Sequence, residues 1–449
     1  MTTTHLDERD VRPGRQRVSL AIAVALCIPG AVSRLADYHG DPGLMALIFG
    51  LSIVGAAFML SWAAEVAQLD ISAGLAIALL AFIAVLPEYA VDMVFAWKGG
   101  NAFEQFGPSC QAPGAPGESP CSLALANMTG ANRLLIGIGW SLVVFLAWYA
   151  MRRKNKAAEA AEPGTVTTPL KGIQLERTHS VELAFLTIAS AYSLTLPLKS
   201  SITLWDALIL VSLFIVYTIR ISRAPAEEPH LVGPALYIGG FDQKKRRLTV
   251  LALFLFAATI ILLCAERFAE ALVETGAEFG ISEFLLVQWL APLASEAPEL
   301  LVAGLYAWRL NTNAGLGTLV SSKVNQWTLL VGTLPIVFAF ASGSLHGLPI
   351  VAQQREELFL TAAQSVFAVA ILTNLSISVR EAGMLFGLFW AQFVLGAVVP
   401  ESWHGGELVA VGIVYLLLAA VYFWRQRDAV PRLLRDGLRT NYAELTRQG

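Results

Sequence analysis

Apolar residues in this chain come in runs of about twenty, the length that crosses a bilayer as a helix at about 1.5 Å per residue. Such runs are predicted over 19–37, 43–66, 72–97, 121–150, 181–198, 202–220, 248–273, 282–308, 316–342, 357–377, 383–400 and 406–424. Hydrocarbon offers backbone groups no water, so the segments are read as helices rather than open sheet. The expected fold is all-α: a polytopic membrane protein with about 12 transmembrane helices. Three regions organise it. Residues 1–180 form an N-terminal half ending in a polar linker, 181–247 hold connecting helices and a basic loop, and 248–449 form a C-terminal half with a tail.

Within that pattern lies a repeat. Pro87-Glu88-Tyr89-Ala90-Val91, closing on Phe95-Ala96-Trp97, returns as Pro298-Glu299-Leu300-Leu301-Val302, closing on Tyr306-Ala307-Trp308. The spacing from Pro to Trp is the same in both. The helix that follows repeats too: Thr129, Asn132, Arg133 and Gly139 align without gaps to Ser322, Asn325, Gln326 and Gly332. The repeats cover about 64–150 and 265–342.

Charge gives the repeat its sense. Of 31 Lys and Arg residues, 24 fall in alternate connections that include both ends of the chain, three in the intervening connections and four inside helices. Basic residues stay on the cytoplasmic side. Both termini are then cytoplasmic and 98–120 is an outer loop. The two Pro-Glu helices are the third and the eighth, an odd five places apart, so the first runs outward and the second inward. Inverted repeats of this kind surround a midplane site in secondary transporters. The first run follows Arg12, Arg15 and Arg17 without a convincing cleavage site and is read as a retained helix. The expected location is the cell (inner) membrane.

Composition agrees. The chain of 449 residues is 56% hydrophobic and 14% charged, where a soluble domain carries about 25% charged residues. Mean hydropathy is +0.60. No soluble catalytic domain is expected, and the expected partners are the lipid bilayer and inorganic cations, with no nucleic acid. Cys27 and Cys264 fall in helices and read as small apolar filler. Cys110 and Cys121 lie in or beside the outer loop, where an oxidising compartment lets them pair.

Four carboxylates interrupt the apolar runs. A carboxylate at the centre of a membrane helix costs at least about 2.5–3.5 kcal/mol, so it faces a cavity, a partner or an ion. Asp92 follows Glu88 by one turn, and Glu296 precedes Glu299 by three residues, so each pair shares a helix face. Proline has no N–H, which leaves an earlier carbonyl free. Carbonyls and carboxylates are hard oxygen ligands suited to Na⁺ or Ca²⁺. Each Glu lies past the middle of a straight span, in opposite senses, so a proline break or a tilt is expected to bring them together. Thr129, Asn132, Ser322, Asn325 and Gln326 offer neutral oxygens, and Arg133 and Lys323 one cation per repeat.

These motifs resemble the α-repeats of the cation/calcium antiporter superfamily, which includes sodium/calcium exchangers. The resemblance implies a ten-helix core, to which this chain adds one helix at each end. It implies that Glu88 and Glu299 coordinate the transported ions. The hydroxyls of the second motif are kept as Thr129 and Ser322, whereas Arg133 and Gln326 stand where Asn or Asp ligands are usual. The function expected is secondary cation antiport by alternating access, of the sodium/calcium exchanger type. No cofactor is expected, only transported Na⁺, Ca²⁺ or H⁺ bound transiently. The metal ligands expected are Glu88, Asp92, Thr129, Asn132, Glu296, Glu299, Ser322, Asn325 and Gln326, with Lys323 and Arg133 compensating charge. Monovalent cation/proton exchange stays open, because Lys323 would cancel a negative charge. It either pairs with Glu299 and yields to an arriving ion or forms a fixed bridge. From other classes, a channel stays open. An intramembrane enzyme finds little support, since no His-Glu-x-x-His occurs.

Overall fold

A computed structural model describes residues 13–70, 86–114, 117–161, 170–224, 231, 233–280, 283–400 and 403–446. The helices, in order, are α1 (Pro13–Leu35), α2 (Pro42–Ala67), α3 (Leu86–Phe106), α4 (Pro120–Leu134), α5 (Ser141–Ala161), α6 (Ser180–Ser193), α7 (Leu204–Ile221) and α8 (Pro234–Gly239). They continue as α9 (Gln243–Phe279), α10 (Glu283–Trp308), α11 (Thr312–Asn325), α12 (Val331–Ser342), α13 (Ala352–Leu372), α14 (Val379–Val398), α15 (His404–Arg425), α16 (Val430–Leu438) and α17 (Tyr442–Leu445). Eight helical stretches among the described residues are long and apolar enough to cross a membrane, fewer than the expected twelve. The other predicted runs coincide with helix where they are described, but bury polar groups. In α13 these are Gln354, Glu357 and Gln364. The start of the third predicted run, 72–85, lies outside the described residues.

Local chemistry sets the helix ends. Asp41 caps α2, its carboxylate accepting from Leu44 N at 2.8 Å, with Pro42 in the first turn where no N–H is needed. Thr203 and Asp206 form a capping box at α7, and Ser378 and Glu381 another at α14. The 37-residue α9 stops at Gly280, whose φ of +64° suits glycine.

Two short antiparallel strand pairs mark opposite ends of the bundle. At one end β1 (Gly172–Gln174) pairs with β4 (Ser376–Ser378). Arg177 meets Asp436 of α16 there at 2.7 Å, and Glu176 N donates to Asn313 Oδ1 at 2.8 Å. A cavity of about 280 Å³ lined by Arg15, Gly233 and Arg309 belongs to the same end. So do the bonds from Arg246 to Asp70 at 2.8 and 2.9 Å. At the opposite end β2 (Ser201–Ile202) pairs with β3 (Leu348–Pro349), and Lys98 meets Glu270 at 3.0 Å. Cys110 and Cys121 form the expected disulfide, with Cα atoms 6.0 Å apart.

These ends show the inversion directly. Helix α3 runs toward the Lys98 end, whereas α10 starts beyond Gly280 and finishes at Arg309, at the other. The Glu-bearing helices of the two repeats are therefore antiparallel. Helix α10 stays helical from Glu283 to Trp308 through Pro298. Of the two expected alternatives, a break or a tilt, the second Pro-Glu shows no break.

Candidate functional site

Four elements meet in the interior of the bundle. Helix α3 contributes Glu88 and Asp92, α4 contributes Asn127, Thr129, Asn132 and Arg133, α10 contributes Gln288, Glu296 and Glu299, and α11 contributes Ser322, Lys323 and Asn325. Gln326 opens a π-helical stretch, Gln326–Leu330, that leads from α11 into α12. The first repeat has its counterpart, Leu135–Trp140, between α4 and α5. A π-turn loosens the regular backbone ladder and is frequent at functional sites. Both stretches lie just after the small-polar/Asn motif.

Gln326 is the keystone. Its Nε2 donates to Glu88 Oε1 at 3.3 Å and also to Glu296 Oε1. One amide thus joins a carboxylate of each repeat across the twofold. Asp92 is held by the first repeat alone, its Oδ1 accepting from Asn127 Nδ2 at 2.6 Å. The Glu299 carboxylate lies close enough to Glu88 and Glu296 to interact with both electrostatically, and the Ser322 hydroxyl lies beside it. All four acids are buried or half-buried.

Five oxygens in this cluster are buried and accept no hydrogen bond from the described residues. They are Asp92 Oδ2, Asn127 Oδ1, Glu296 Oε2, Glu299 Oε1 and Gln326 Oε1. A buried acceptor left unsatisfied costs about 1–3 kcal/mol, and more if charged. Every one of these atoms is a hard donor of the kind that binds Na⁺ or Ca²⁺. No three His, Cys, Asp or Glu side chains among the described residues converge closely enough to hold a metal ion by themselves. The neutral amide oxygens are therefore needed to complete a shell.

Other expected ligands are already engaged. Thr129 Oγ1 donates within its own helix, to Leu125 O at 2.9 Å or Ala126 O at 3.1 Å, and accepts from Gln288 Nε2 at 3.5 Å. Asn132 Oδ1 accepts from Lys323 Nζ at 2.6 Å. Asn325 is buried on α11.

The two cations depart from expectation. Lys323 does not pair with Glu299. Its ammonium donates to Asn132 O at 2.5 Å as well as to Asn132 Oδ1, and sits 5.4 Å from the Trp327 ring centre. Arg133 turns toward α13 and α14, donating to Glu357 and Gln392, and stacks 5.2 Å from the Trp289 ring centre. Its charge is committed to Glu357, so it does not compensate the Pro-Glu carboxylates.

Asn127, Gln288, Glu357 and Gln392 were absent from the sequence reading of the site. Asn127, Gln288 and Gln392 are polar residues within apolar runs, which is the signal that could have found them, whereas Glu357 opens its run directly after Glu356 and gives no such signal. Asn127 stands two residues before Thr129.

Comparison with known proteins decides the family. The model for "Sodium/calcium exchanger protein" matches residues 41–222 and 249–399. The chain belongs to that family. It is an integral membrane cation antiporter, a secondary transporter rather than an enzyme. Among solved structures, a crystal structure of the H⁺/Ca²⁺ exchanger CAX is 39% identical, with a TM-score of 0.82 over 97% of this chain and 99% of that one. Native YfkE is 16% identical, with a TM-score of 0.53 over 89% of this chain and 100% of that one, a likeness of fold. No curated protein matches the chain.

Proposed function

We propose that this exchanger moves Ca²⁺ against protons, with Glu88, Asp92, Glu296 and Glu299 as the acidic ligands of one site between the repeats. The observation that carries the reading is the set of unsatisfied buried oxygens on both repeats, joined by Gln326. A carboxylate can hold either a metal ion or a proton, so the same groups serve both legs of the cycle. The 39% identity to an H⁺/Ca²⁺ exchanger supports protons over Na⁺ as the coupling ion. Asn127 and Gln326 complete the shell with amide oxygens, and Ser322 and Asn325 stand beside it. Lys323, one positive charge at the edge of this cluster, favours the second reading, monovalent cation/proton exchange.

Proteoliposomes separate the readings. Calcium uptake should follow an imposed proton gradient and should not follow an equal Na⁺ gradient. Uptake driven by Na⁺ alone would replace proton coupling by sodium coupling. Proton-driven Na⁺ uptake without Ca²⁺ uptake would support the second reading.

The basic-residue split supports a cytoplasmic position for both termini and for 151–180. A Thr165→Cys variant in intact cells should resist a membrane-impermeant thiol reagent added outside and react after permeabilisation. Labelling from outside would reverse the orientation.

A further inference from the structure

We propose that the Lys323 ammonium is a built-in cation of the transport site, holding by a covalent tether a position that a free monovalent cation would otherwise occupy. The inference rests on the exchanger reading of the same cluster. Lys323 is fully buried in the interior of the bundle. Its two hydrogen-bond partners are the main-chain oxygen and the side-chain amide oxygen of Asn132, at 2.5 and 2.6 Å. Those are the oxygen types that ligate alkali cations, and an ammonium is close to K⁺ in size. No carboxylate lies within ion-pair distance of its Nζ among the described residues, so this is not an ordinary salt bridge. The ring of Trp327 adds a cation-binding face. The ligands come from the first repeat and the cation from the second, so the contact spans the interface that must rearrange.

The repeat explains why only one such cation is present. Lys323 aligns with Gly130 of the first repeat. A Cβ at Gly130 would lie 1.7 Å from the main-chain oxygen of Gln288 on α10. Backbone approach on that side leaves no room for any side chain, and the twofold is broken at this position. The consequence is a fixed positive charge among four carboxylates, with one mobile cation fewer to be gathered per cycle. Asn132, read from sequence as a ligand of the transported ion, is instead the ligand of this tethered one.

Lys323→Met keeps the volume and removes the charge. The test is thermal unfolding of purified protein at constant ionic strength, with choline replaced by Na⁺, K⁺ or NH₄⁺. Wild type should be indifferent to the exchange. Lys323→Met should gain a saturable rise of about 3 °C or more with at least one small cation. A folded Lys323→Met that responds no more than wild type overturns the proposal. If that variant does not fold, Lys323→Ala purified with propylammonium replaces it. Stabilisation by propylammonium but not by choline is expected, and its absence overturns the proposal. Exchange is not part of the readout. A wild type that carries no Ca²⁺ would sink the exchanger reading and leave the monovalent response to decide this one.

Discussion

Glu88→Gln and Glu299→Gln should each lower exchange at least about 100-fold, a loss of about 2.7 kcal/mol at 1.36 kcal/mol per factor of ten, while leaving the protein folded. Folding should survive because Gln keeps the shape. At position 88 the new amide oxygen can still accept from Gln326 Nε2, which now lies 3.3 Å from the carboxylate. What is lost is one negative charge and the ability to carry a proton. Affinity for a divalent ion follows the charge count of its ligands, so the effect should be larger on Ca²⁺ than on any residual monovalent binding. Proteoliposome flux with a melting curve on the same preparation gives both numbers. Near-normal flux in either variant would make that glutamate a structural residue and move the pathway elsewhere.

Removing Glu357 alone should destabilise the protein by about 3–5 kcal/mol, because it strands the Arg133 guanidinium inside the bundle. Arg133 and Glu357 are both buried, and their remaining partners are Gln392 and the Trp289 face. Replacing both ions by apolar residues of similar volume is often neutral or better. A Glu357→Leu variant should therefore unfold at lower temperature or fail to accumulate, and Arg133→Met with Glu357→Leu should recover most of the loss. The pair holds α4 against α13 and α14, away from the Gln326 bridge. Exchange should persist in the folded double variant. If the double variant is stable but inactive, Arg133 belongs to the transport site after all, as the repeat alignment had it.

The helical fold and its inversion could be read from the chain because they rest on one-dimensional signals. Run length reports crossing, and the Lys and Arg split reports sense. The Pro-Glu copies were legible for a similar reason, since ionised groups in apolar runs are conspicuous. Contacts across the twofold were not. Lys323 was expected to pair with Glu299 or to form a fixed bridge, because opposite charges attract, yet its ammonium meets a main-chain carbonyl of Asn132, invisible in any residue-type pattern. Arg133 was counted with the site because it aligns with Gln326, but α13 places Glu357 against it, and α13 lies outside the repeats. The glutamine at 326 was read as a neutral ligand standing where Asn or Asp is usual. In the folded chain its amide is what joins Glu88 to Glu296. Of the break or tilt expected at the Pro-Glu sites, the break is absent at Pro298: neighbouring helices tolerate a proline that would break an isolated one.

Whether one site serves both ions in turn is tested most directly by counterflow. Proteoliposomes loaded with labelled Ca²⁺ should retain it when the outside contains neither Ca²⁺ nor an excess of protons. Adding external Ca²⁺ or lowering external pH should release the label, with saturation in both cases, and Glu88→Gln should abolish both responses together. Steady leakage of label without any counter-ion would contradict obligatory exchange and leave a channel in its place.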